Sequence, residues 1–313
     1  MDAIEADGLT KYFGDLLAVD QVNFRVKKGE IFGFLGPNGA GKTTTIRMLT
    51  TLTRPSKGTA RVAGYDVLNE PLRAKQHFGV VPEVSNVYDE LSVWNNLMFA
   101  GEIYGMSKTE RRRRSDELLS LLALAEHRDK KARHLSKGLK RKLVLGMALV
   151  NSPEILFLDE PSSGLDVTST RTMRDIIRQF AQRGMTVFLT THNIEEANLL
   201  CDRVAIIVKA RIVAIDSPEN LKMALDASRS VEIAFKKAPP SLQDWLKASE
   251  IVNAVRKEGD KWKVFTSNPS EFLDALVGYV GREKANLLSV NTLGPSLEDV
   301  FVSLVMDEGK GGG

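Results

Sequence analysis

One glycine-rich stretch, GPNGAGKTT at Gly36 to Thr44, carries residues whose types and spacing suit phosphate binding. It fits the pattern G-x-x-x-x-G-K-[ST], in which glycines let the main chain approach a ligand and turn successive N–H groups toward phosphate oxygens. Lys42 adds a positive charge that can reach the β and γ phosphates of a nucleotide, and the Thr43 hydroxyl is placed to bind Mg²⁺. The stretch therefore predicts a nucleotide site, and the alternative is a glycine turn that binds nothing.

The segments on either side of this loop have the character that such a site needs. The apolar run at Ile31 to Leu35 predicts a buried strand, and a helix is predicted to begin near Lys42 and to continue to Leu52. A helix that begins there aims the positive end of its dipole at the bound phosphates. Strand, glycine loop and helix in this order are the context in which the pattern is informative.

Two carboxylates, Asp159 and Glu160, directly follow the apolar four-residue run at Ile155 to Leu158. Packing does not explain two charges at the end of a buried strand, because charges there need a metal or a partner. One carboxylate can hold Mg²⁺ and the next can orient a water molecule. The alternative is a pair of solvated loop acids.

Three further residues are candidates from their position alone. Glu83 and His192 come at the carboxyl ends of predicted strands, which is where open α/β sheets place ligand contacts. His192 is interpreted as a phosphate contact, although a lone histidine is more often a hydrogen-bonded structural residue. Phe13 precedes the loop in sequence and could either stack on an adenine or belong to the core, and the sequence leaves both interpretations open.

A second anion site is predicted in HLSKGLKRK, His134 to Lys142, ahead of a helix expected at Arg141 to Val150. Ser136 can cap that helix, and Gly138 lets the backbone come close to a ligand at the exposed N–H groups of the helix start. Asp166 is predicted to cap the helix that follows the two carboxylates.

Composition excludes several classes of protein. A net charge of +3, from 43 basic and 40 acidic residues, is too small to indicate nucleic-acid binding. The single cysteine, Cys201, excludes an internal disulfide and fits a reducing compartment. We expect a soluble chain, since it has neither a signal peptide nor an apolar run long enough to span a bilayer. The basic clusters at 111–114 and 130–133 are interpreted as solvated helix faces, with anionic lipid headgroups as the alternative contact.

The order of predicted elements indicates an α/β protein of two domains. Antiparallel strands occupy residues 1–30, a mixed sheet follows, and a helical subdomain is inserted at about 85–152. Beyond residue 225 the order is strand, helix, strand, strand, helix, strand, which predicts a small α+β domain with the split βαβ arrangement of ferredoxin-like folds over residues 226–308. Residues 309–313 are predicted to be a flexible tail.

Residues 1 to about 225 resemble the ATP-binding cassette of ABC transporters, a family of P-loop NTPases. The resemblance implies Phe13 as the adenine-stacking residue, Asp159 as the Mg²⁺ carboxylate, Glu160 as the catalytic base and His192 as the switch histidine. It also assigns Lys42 to catalysis, and Thr43 and Glu83, at the Q-loop position, to the metal. The loop residues assigned to ATP as the Walker A motif are Gly36, Pro37, Asn38, Gly39, Ala40, Gly41, Lys42, Thr43 and Thr44.

The resemblance further implies a dimer in which each chain completes the site of the other. Leu135 to Leu139 correspond to the signature motif, so Ser136, Gly138 and the D-loop residue Asp166 would contact ATP bound by a second cassette. The C-terminal sequence SVNTLGPSLEDVFVSL is similar to the accessory domain of drug and antibiotic exporters with a separate ABC-2-type permease subunit. These features imply an ATPase on the cytoplasmic face of the cell membrane, as a homodimer or heterodimer, with no nucleic-acid partner.

Two residues depart from the family pattern. Glu83 stands where the family has glutamine, and Lys137 stands where it has glycine, a replacement that drug-exporter cassettes commonly tolerate. A carboxylate at position 83 would repel the γ phosphate unless Mg²⁺ or protonation offsets its charge. Glu83 therefore motivates one alternative to a transport ATPase, a regulatory cassette with little turnover. The other alternative is a non-transport ATP-dependent switch.

Overall fold

The glycine loop lies at the edge of a six-stranded sheet in the computed structural model, which describes residues 2–224, 229–294 and 296–310. The chain divides into an N-terminal unit, residues 1–218, and a C-terminal unit, residues 219–313. The predicted domain boundary at residue 225 falls in the stretch 225–228, which lies outside the described residues.

The strands are β1 (Asp2–Phe13), β2 (Leu16–Lys27), β3 (Ile31–Leu35), β4 (Lys57–Val62), β5 (Tyr65–Asp66), β6 (Phe78–Val81), β7 (Ile155–Asp159), β8 (Thr186–Thr191), β9 (Arg203–Val208), β10 (Arg211–Asp216), β11 (Arg229–Phe235), β12 (Ala254–Glu258), β13 (Lys261–Thr266) and β14 (Leu287–Leu293). The helices are α1 (Lys42–Leu49), α2 (Pro71–Lys75), α3 (Val93–Ile103), α4 (Lys108–Leu121), α5 (Lys137–Leu149), α6 (Val167–Gln182), α7 (Ile194–Leu200), α8 (Pro218–Ala224), α9 (Leu242–Ala248), α10 (Pro269–Glu283) and α11 (Leu297–Lys310).

The central sheet of the N-terminal unit has the order β10-β9-β3-β8-β7-β6. All its pairings are parallel except that of β10 with β9, so the predicted mixed sheet is confirmed. Every residue of β3 is buried, because a central parallel strand is covered on both faces. The register pairs Leu35 with Thr191 and Asp159 with Thr190, so the residues that follow these strands emerge together at one edge.

A second, antiparallel sheet with the order β2-β1-β4-β5 packs against the first. Phe24 of β2 contacts Phe32 and Phe34 of β3 and Phe188 of β8, with ring centroids 5.5, 5.8 and 5.6 Å apart. Aromatic pairs at these distances add to the free energy of burial. The rings hold β3, and with it the start of the glycine loop, against the antiparallel layer.

The inserted helices α3, α4 and α5 each begin after a serine N-cap, at Ser92, Ser107 and Ser136. The prediction that α5 starts at Arg141 is wrong: because the Ser136 side chain accepts a bond from the Leu139 N–H, the helix begins at Lys137 and includes Gly138. The helix after the glycine loop is also shorter than predicted and ends at Leu49.

The basic clusters of this helical region are largely neutralised within the chain. Arg111 pairs with Glu102, Arg113 and Arg114 pair with Glu117, and Lys131 and Arg133 both pair with Glu90. Charges that already have partners offer less to an anionic lipid surface. The pairs support the interpretation as solvated helix faces.

The C-terminal unit has a four-stranded sheet of order β12-β13-β11-β14, with every pairing antiparallel. This strand order agrees with the predicted split βαβ unit, and the ferredoxin-like classification stays a prediction. β12 begins at Ala254. α11 continues to Lys310, and residues 311–313 lie outside the described residues, so the flexible tail at 309–313 stays a prediction.

Candidate functional site

The glycine loop connects the end of β3 to the start of α1, as predicted. A Cβ atom on Gly36 would lie 2.4 Å from the Ile207 carbonyl oxygen, and one on Gly41 would lie 2.4 Å from the Ala18 carbonyl oxygen. Gly41 also has a φ of +106°, which side chains other than hydrogen disfavour. Packing and backbone conformation therefore both require glycine here, and the N–H groups of the first turn of α1 have no partners within the helix, so they can bind an anion.

Lys42 is buried inside the loop that precedes it. Its Nζ donates to the carbonyl oxygens of Gly36 and Pro37, at 2.8 and 3.2 Å, and lies 3.3 Å from Oε1 of Glu160. The ammonium is 6% exposed, so its charge needs these oxygens for compensation. Lys42 is thus preorganised at the point where the loop can hold phosphates.

Thr43 and Asp159 supply two oxygens of the kind that Mg²⁺ prefers. The Thr43 hydroxyl donates to Oδ1 of Asp159 at 3.2 Å, and the Thr190 hydroxyl donates to the same oxygen at 2.5 Å. No cluster of three His, Cys, Asp or Glu side chains suited to a metal exists within residues 2–224, 229–294 and 296–310. That donor set nevertheless fits Mg²⁺, which usually takes one or two protein oxygens and completes its shell with phosphate and water.

Glu160 is held at the cleft from both sides. Oε1 faces Lys42, and Oε2 accepts from the backbone N–H of His192 at 3.3 Å and lies 2.9 Å from its Nδ1. Contact with an ionised carboxylate, which can only accept, requires the histidine tautomer that carries its proton on Nδ1. Glu160 also has a φ of +48°, in the left-handed region that a non-glycine residue adopts at a cost, and its N–H donates to the Thr190 carbonyl.

These residues surround an open cleft of about 440 Å³, lined by Phe13, Leu16, Ala18, Asn38, Gly39, Gly41, Lys42, Thr43, Thr44, Glu83 and Glu160. Phe13 is 48% exposed at its rim, so the structure places it outside the core. Its role in adenine stacking stays a prediction. The Glu83 side chain faces the same cleft and is exposed.

Ser136, Gly138 and Asp166 form a second group, at the starts of α5 and α6. A Cβ atom on Gly138 would lie 2.5 Å from Oγ of Ser169, and Asp166 accepts from both the N–H and the hydroxyl of Ser169 at 2.8 Å. The backbone N–H of Ser169 lowers the pKa of the Asp166 carboxyl. None of the three residues lines the cleft of their own chain, so the predicted ATP contacts fall into two separate groups.

The sequence analysis missed Arg141, which the structure places behind the cleft. Nε donates to the Pro161 carbonyl at 3.0 Å, Nη1 to those of Pro82 and Glu83, and Nη2 to those of Asp159 and Glu160 at 2.8 and 2.9 Å. Burial lowers the pKa of this guanidinium, against the opposing effect of nearby carboxylates. One buried side chain thus ties the Glu83 loop to the Asp159–Glu160 loop.

A sequence signal for Arg141 did exist. Leu145 lies four residues later and Ala148 seven residues later, and both are buried, so helical periodicity places position 141 on the buried face of α5. Thr190 forms hydrogen bonds with both Asp159 and Glu160, but no sequence pattern predicts this, because its position indicates only a strand residue.

Comparison with known proteins gives consistent matches. The family model described as ABC transporter matches residues 19–163. The linearmycin resistance ATP-binding protein LnrL of Bacillus subtilis is 33% identical over 303 residues, which cover 96% of this chain and 97% of the relative. The daunorubicin/doxorubicin resistance ATP-binding protein DrrA of Streptomyces peucetius is 35% identical over 305 residues, with 96% and 92% covered.

A Nod factor export ATP-binding protein I of Burkholderia lata is 36% identical over 301 residues, with 96% of each chain covered. Among solved structures, an ATP-binding subunit of an ABC transporter has a TM-score of 0.65 and 28% identity, covering 71% of this chain and 92% of that one. A bacterial ABC transporter cassette solved as a dimer has a TM-score of 0.63 and 25% identity, with 68% and 98% covered. Within the described part of this chain, none of the helices combines the length and apolar character needed to cross a membrane.

Proposed function

The chain belongs to the ATP-binding subunits of ABC transporters, and from that premise we propose that it performs Mg²⁺-dependent hydrolysis of ATP to energise a separate membrane exporter subunit. The arrangement of Glu160 is the observation that supports this most directly. Its carboxylate is fixed between Lys42 and His192, beside a loop that can hold phosphates. A carboxylate so placed can orient a water molecule toward the terminal phosphate and accept its proton.

The remaining residues have roles that follow from their positions. The loop N–H groups and Lys42 bind the β and γ phosphates, and Phe13 stacks on the adenine at the rim of the cleft. Thr43 and Asp159 would hold Mg²⁺, which when bound neutralises charge on the phosphates. His192 holds Glu160 in position through Nδ1, and Thr190 fixes the orientation of Asp159.

The second group of residues supports a head-to-tail dimer. Ser136, Gly138 and Asp166 are exposed or half-exposed beside helix N-termini, where N–H groups can meet an anion, yet they do not line the cleft of their own chain. In the proposed dimer Ser136 contacts the γ phosphate bound by the second cassette, and Gly138 and Asp166 lie beside the same nucleotide. Relatives named as resistance and export proteins favour transport over a regulatory or switch function.

We further propose that the membrane subunit docks in an apolar groove beside the cleft. This groove, about 530 Å³, is formed in part by Leu52, Val80, Pro82, Ile103 and Tyr104, and Leu52 and Ile103 are 66% and 65% exposed. Exposed apolar side chains of this kind suit the apolar face of an amphipathic helix of the permease. Pro82 lines this groove and the next residue, Glu83, lines the nucleotide cleft, so a permease helix bound here would contact the segment that connects the two.

Glu160→Gln tests the hydrolytic role. Steady-state ATPase activity should fall by about 100-fold or more, since general-base catalysis contributes about 10²–10⁴-fold, while equilibrium binding of ATP is retained. Glu154→Gln is the matched control, because Glu154 immediately precedes the strand that Glu160 follows and is exposed at the opposite edge of the sheet. Turnover of Glu160→Gln at the rate of this control would refute the assignment.

Docking has its own test. Leu52→Asp combined with Ile103→Asp should abolish copurification with the permease and leave the ATPase rate of the isolated chain unchanged. Leu72→Asp is the control, since Leu72 is 76% exposed and lies outside the groove. Copurification that survives the double substitution would place the permease elsewhere.

A further inference from the structure

Two opposite charges lie without a partner in the two separate halves of the predicted ATP site. The Glu83 carboxylate is exposed in the cleft, and although the Arg141 guanidinium binds its backbone carbonyl and attracts its charge, no described residue forms a hydrogen bond or ion pair with its side chain. Lys137, the first residue of α5, is also exposed, and its ammonium has no acceptor among the described residues. By contrast, nearby Lys140 pairs with Asp89.

Carboxylates outnumber cations among the described residues that line the cleft, since Glu83 and Glu160 face Lys42 alone. Directly behind this lining, the charge of Asp159 is balanced by the buried Arg141 guanidinium. ATP would bring further negative charge close to Glu83. Like charges in a partly enclosed site repel more strongly than in open water, so a bound nucleotide increases the need for a cation near position 83.

We propose that Lys137 of one chain forms an ion pair with Glu83 of a second copy in the ATP-bound dimer. The pair rests on the head-to-tail dimer of the proposed function, in which Ser136 reaches the γ phosphate of the partner. Lys137 is the next residue along the chain, and Glu83 lines the cleft that would hold that phosphate. Two-fold symmetry then forms the pair twice, once at each nucleotide.

This pairing gives the two departures from the family pattern a joint role. A neutral residue at position 83 needs no cation opposite it, and a glycine at position 137 supplies none. Together, Glu83 and Lys137 add an attraction between the two chains next to each nucleotide, and they disfavour association with a cassette that carries only one of them. Closure of the dimer is thereby coupled to neutralisation of Glu83.

Charge reversal tests the pair in the Glu160→Gln chain, which should bind ATP without turning it over. The dimer dissociation constant with Mg²⁺ and ATP is measured by sedimentation. Glu83→Lys and Lys137→Glu should each weaken the dimer by about tenfold or more, and the double variant should restore it to within about threefold, the coupling expected of a close charge pair. Additive weakening in the double variant would overturn the pair, as it would mean that Lys137 contacts only phosphate.

Lys130 provides the matched control, because it is an exposed lysine of the same helical subdomain outside both groups of site residues. Lys130→Glu should neither weaken the dimer nor rescue Glu83→Lys. Rescue by Lys130→Glu would show a general charge effect and overturn the specific pair. Failure of the parent Glu160→Gln chain to dimerise with ATP would instead overturn the dimer itself, and the pair with it.

A cross-link gives a second measurement that does not depend on charge. The native chain has one cysteine, Cys201, which is buried, and burial raises the pKa of its thiol, so it should not react. A chain with Glu83→Cys and Lys137→Cys, exposed to a mild oxidant, should form an intermolecular disulfide that depends on ATP. A chain with Glu83→Cys and Lys130→Cys should not. Equal cross-linking by both chains would overturn the pair.

Discussion

The N-terminal and C-terminal units both bury charged side chains, but they balance those charges in different ways. In the C-terminal unit, Nζ of Lys263 lies 3.1 Å from each carboxylate oxygen of Asp299, which also accepts from the N–H and hydroxyl of Ser296 at 3.0 and 2.6 Å. In the N-terminal unit, Lys42 and Glu160 lie 3.3 Å apart at the wall of an open cleft. One set of charges is enclosed by protein, and the other faces a volume that a ligand can fill.

This difference in surroundings distinguishes charged residues that stabilise the fold from charged residues that bind a ligand. Asp299 lies in the first turn of α11 and forms reciprocal bonds with Ser296, since its own N–H donates to the Ser296 hydroxyl, so the SLEDVF motif has a capping role within the fold. Lys42 instead contacts carbonyls of a glycine loop whose close packing leaves no room for side chains at Gly36 and Gly41. Substitutions in the first set should change stability, and those in the second should change nucleotide handling.

Substitutions of Arg141 should change both stability and nucleotide handling, because Arg141 is enclosed like Lys263 yet supports the cleft. Arg141→Leu should lower the free energy of unfolding of the N-terminal unit by about 3–5 kcal/mol, since it leaves buried carbonyls unpaired. Arg141→Lys retains the charge but cannot span the same carbonyls, so the ATPase rate should still fall. Denaturant unfolding and ATPase assays of both variants check this, and Lys140→Leu is the neighbouring control. A stable, fully active Arg141→Leu chain would contradict the bracing role.

Lys42→Ala should produce the purest functional defect. ATP affinity should fall by about 100-fold because a buried ammonium at the phosphates is lost, while stability changes little. Fluorescent-nucleotide binding and thermal melting measure the two effects. Lys28→Ala, at an exposed lysine, should affect neither. Unchanged ATP affinity in Lys42→Ala would contradict the claim that the buried charge of Lys42, unlike that of Lys263, serves nucleotide binding.

Asp299→Ala should produce the opposite profile. The C-terminal unit should lose about 1–3 kcal/mol, because Lys263 and the Ser296 groups lose a buried acceptor, while ATP affinity stays unchanged. Hydrogen exchange of α11 and β13 in the full chain measures the loss. Glu298→Ala, at the neighbouring first-turn position, is the control. A change in ATP affinity in Asp299→Ala would show that the C-terminal unit acts on the cleft.

The lowered pKa of Asp299 predicts that the stability of the C-terminal unit depends on pH. Burial raises the pKa of Asp299, but bonds from Ser296 and Lys263 lower it further, so its folded pKa lies below the usual value. A depressed pKa means that the contribution to stability is present above about pH 4 and is lost as the pH falls through the folded pKa. The stability difference between the wild type and Asp299→Asn should therefore shrink in acid, and a difference that grew in acid would contradict the assignment.

Phe13→Ala should have the smallest effect. Loss of one stacking ring should weaken ATP binding by about tenfold and leave the affinity for inorganic triphosphate unchanged, because the phosphate contacts remain. Competition binding with the two ligands checks this. Tyr12→Ala, on the adjacent exposed residue of β1, should alter neither affinity. Equal weakening for both ligands would indicate a structural role for Phe13.

The sequence by itself determined the elements whose signals are local. The glycine loop, the apolar strands β3 and β7, and the charged residues directly after β7 are each specified within about ten consecutive residues. The resemblance to the ABC family, the α/β fold and the transport class followed from those stretches and are confirmed. The assignment of Glu160 and His192 to one site rests on their positions at the ends of parallel strands.

Only the tertiary structure decided how distant residues meet. It placed Phe13 at the cleft instead of in the core, moved the start of α5 to Lys137, and brought Arg141 against five carbonyls from two loops. It also left the exposed side chains of Glu83 and Lys137 without a hydrogen bond or ion pair among the described residues. The physical reason is that burial and charge pairing depend on groups far apart in sequence, whereas periodicity and turn chemistry are read over a few neighbours.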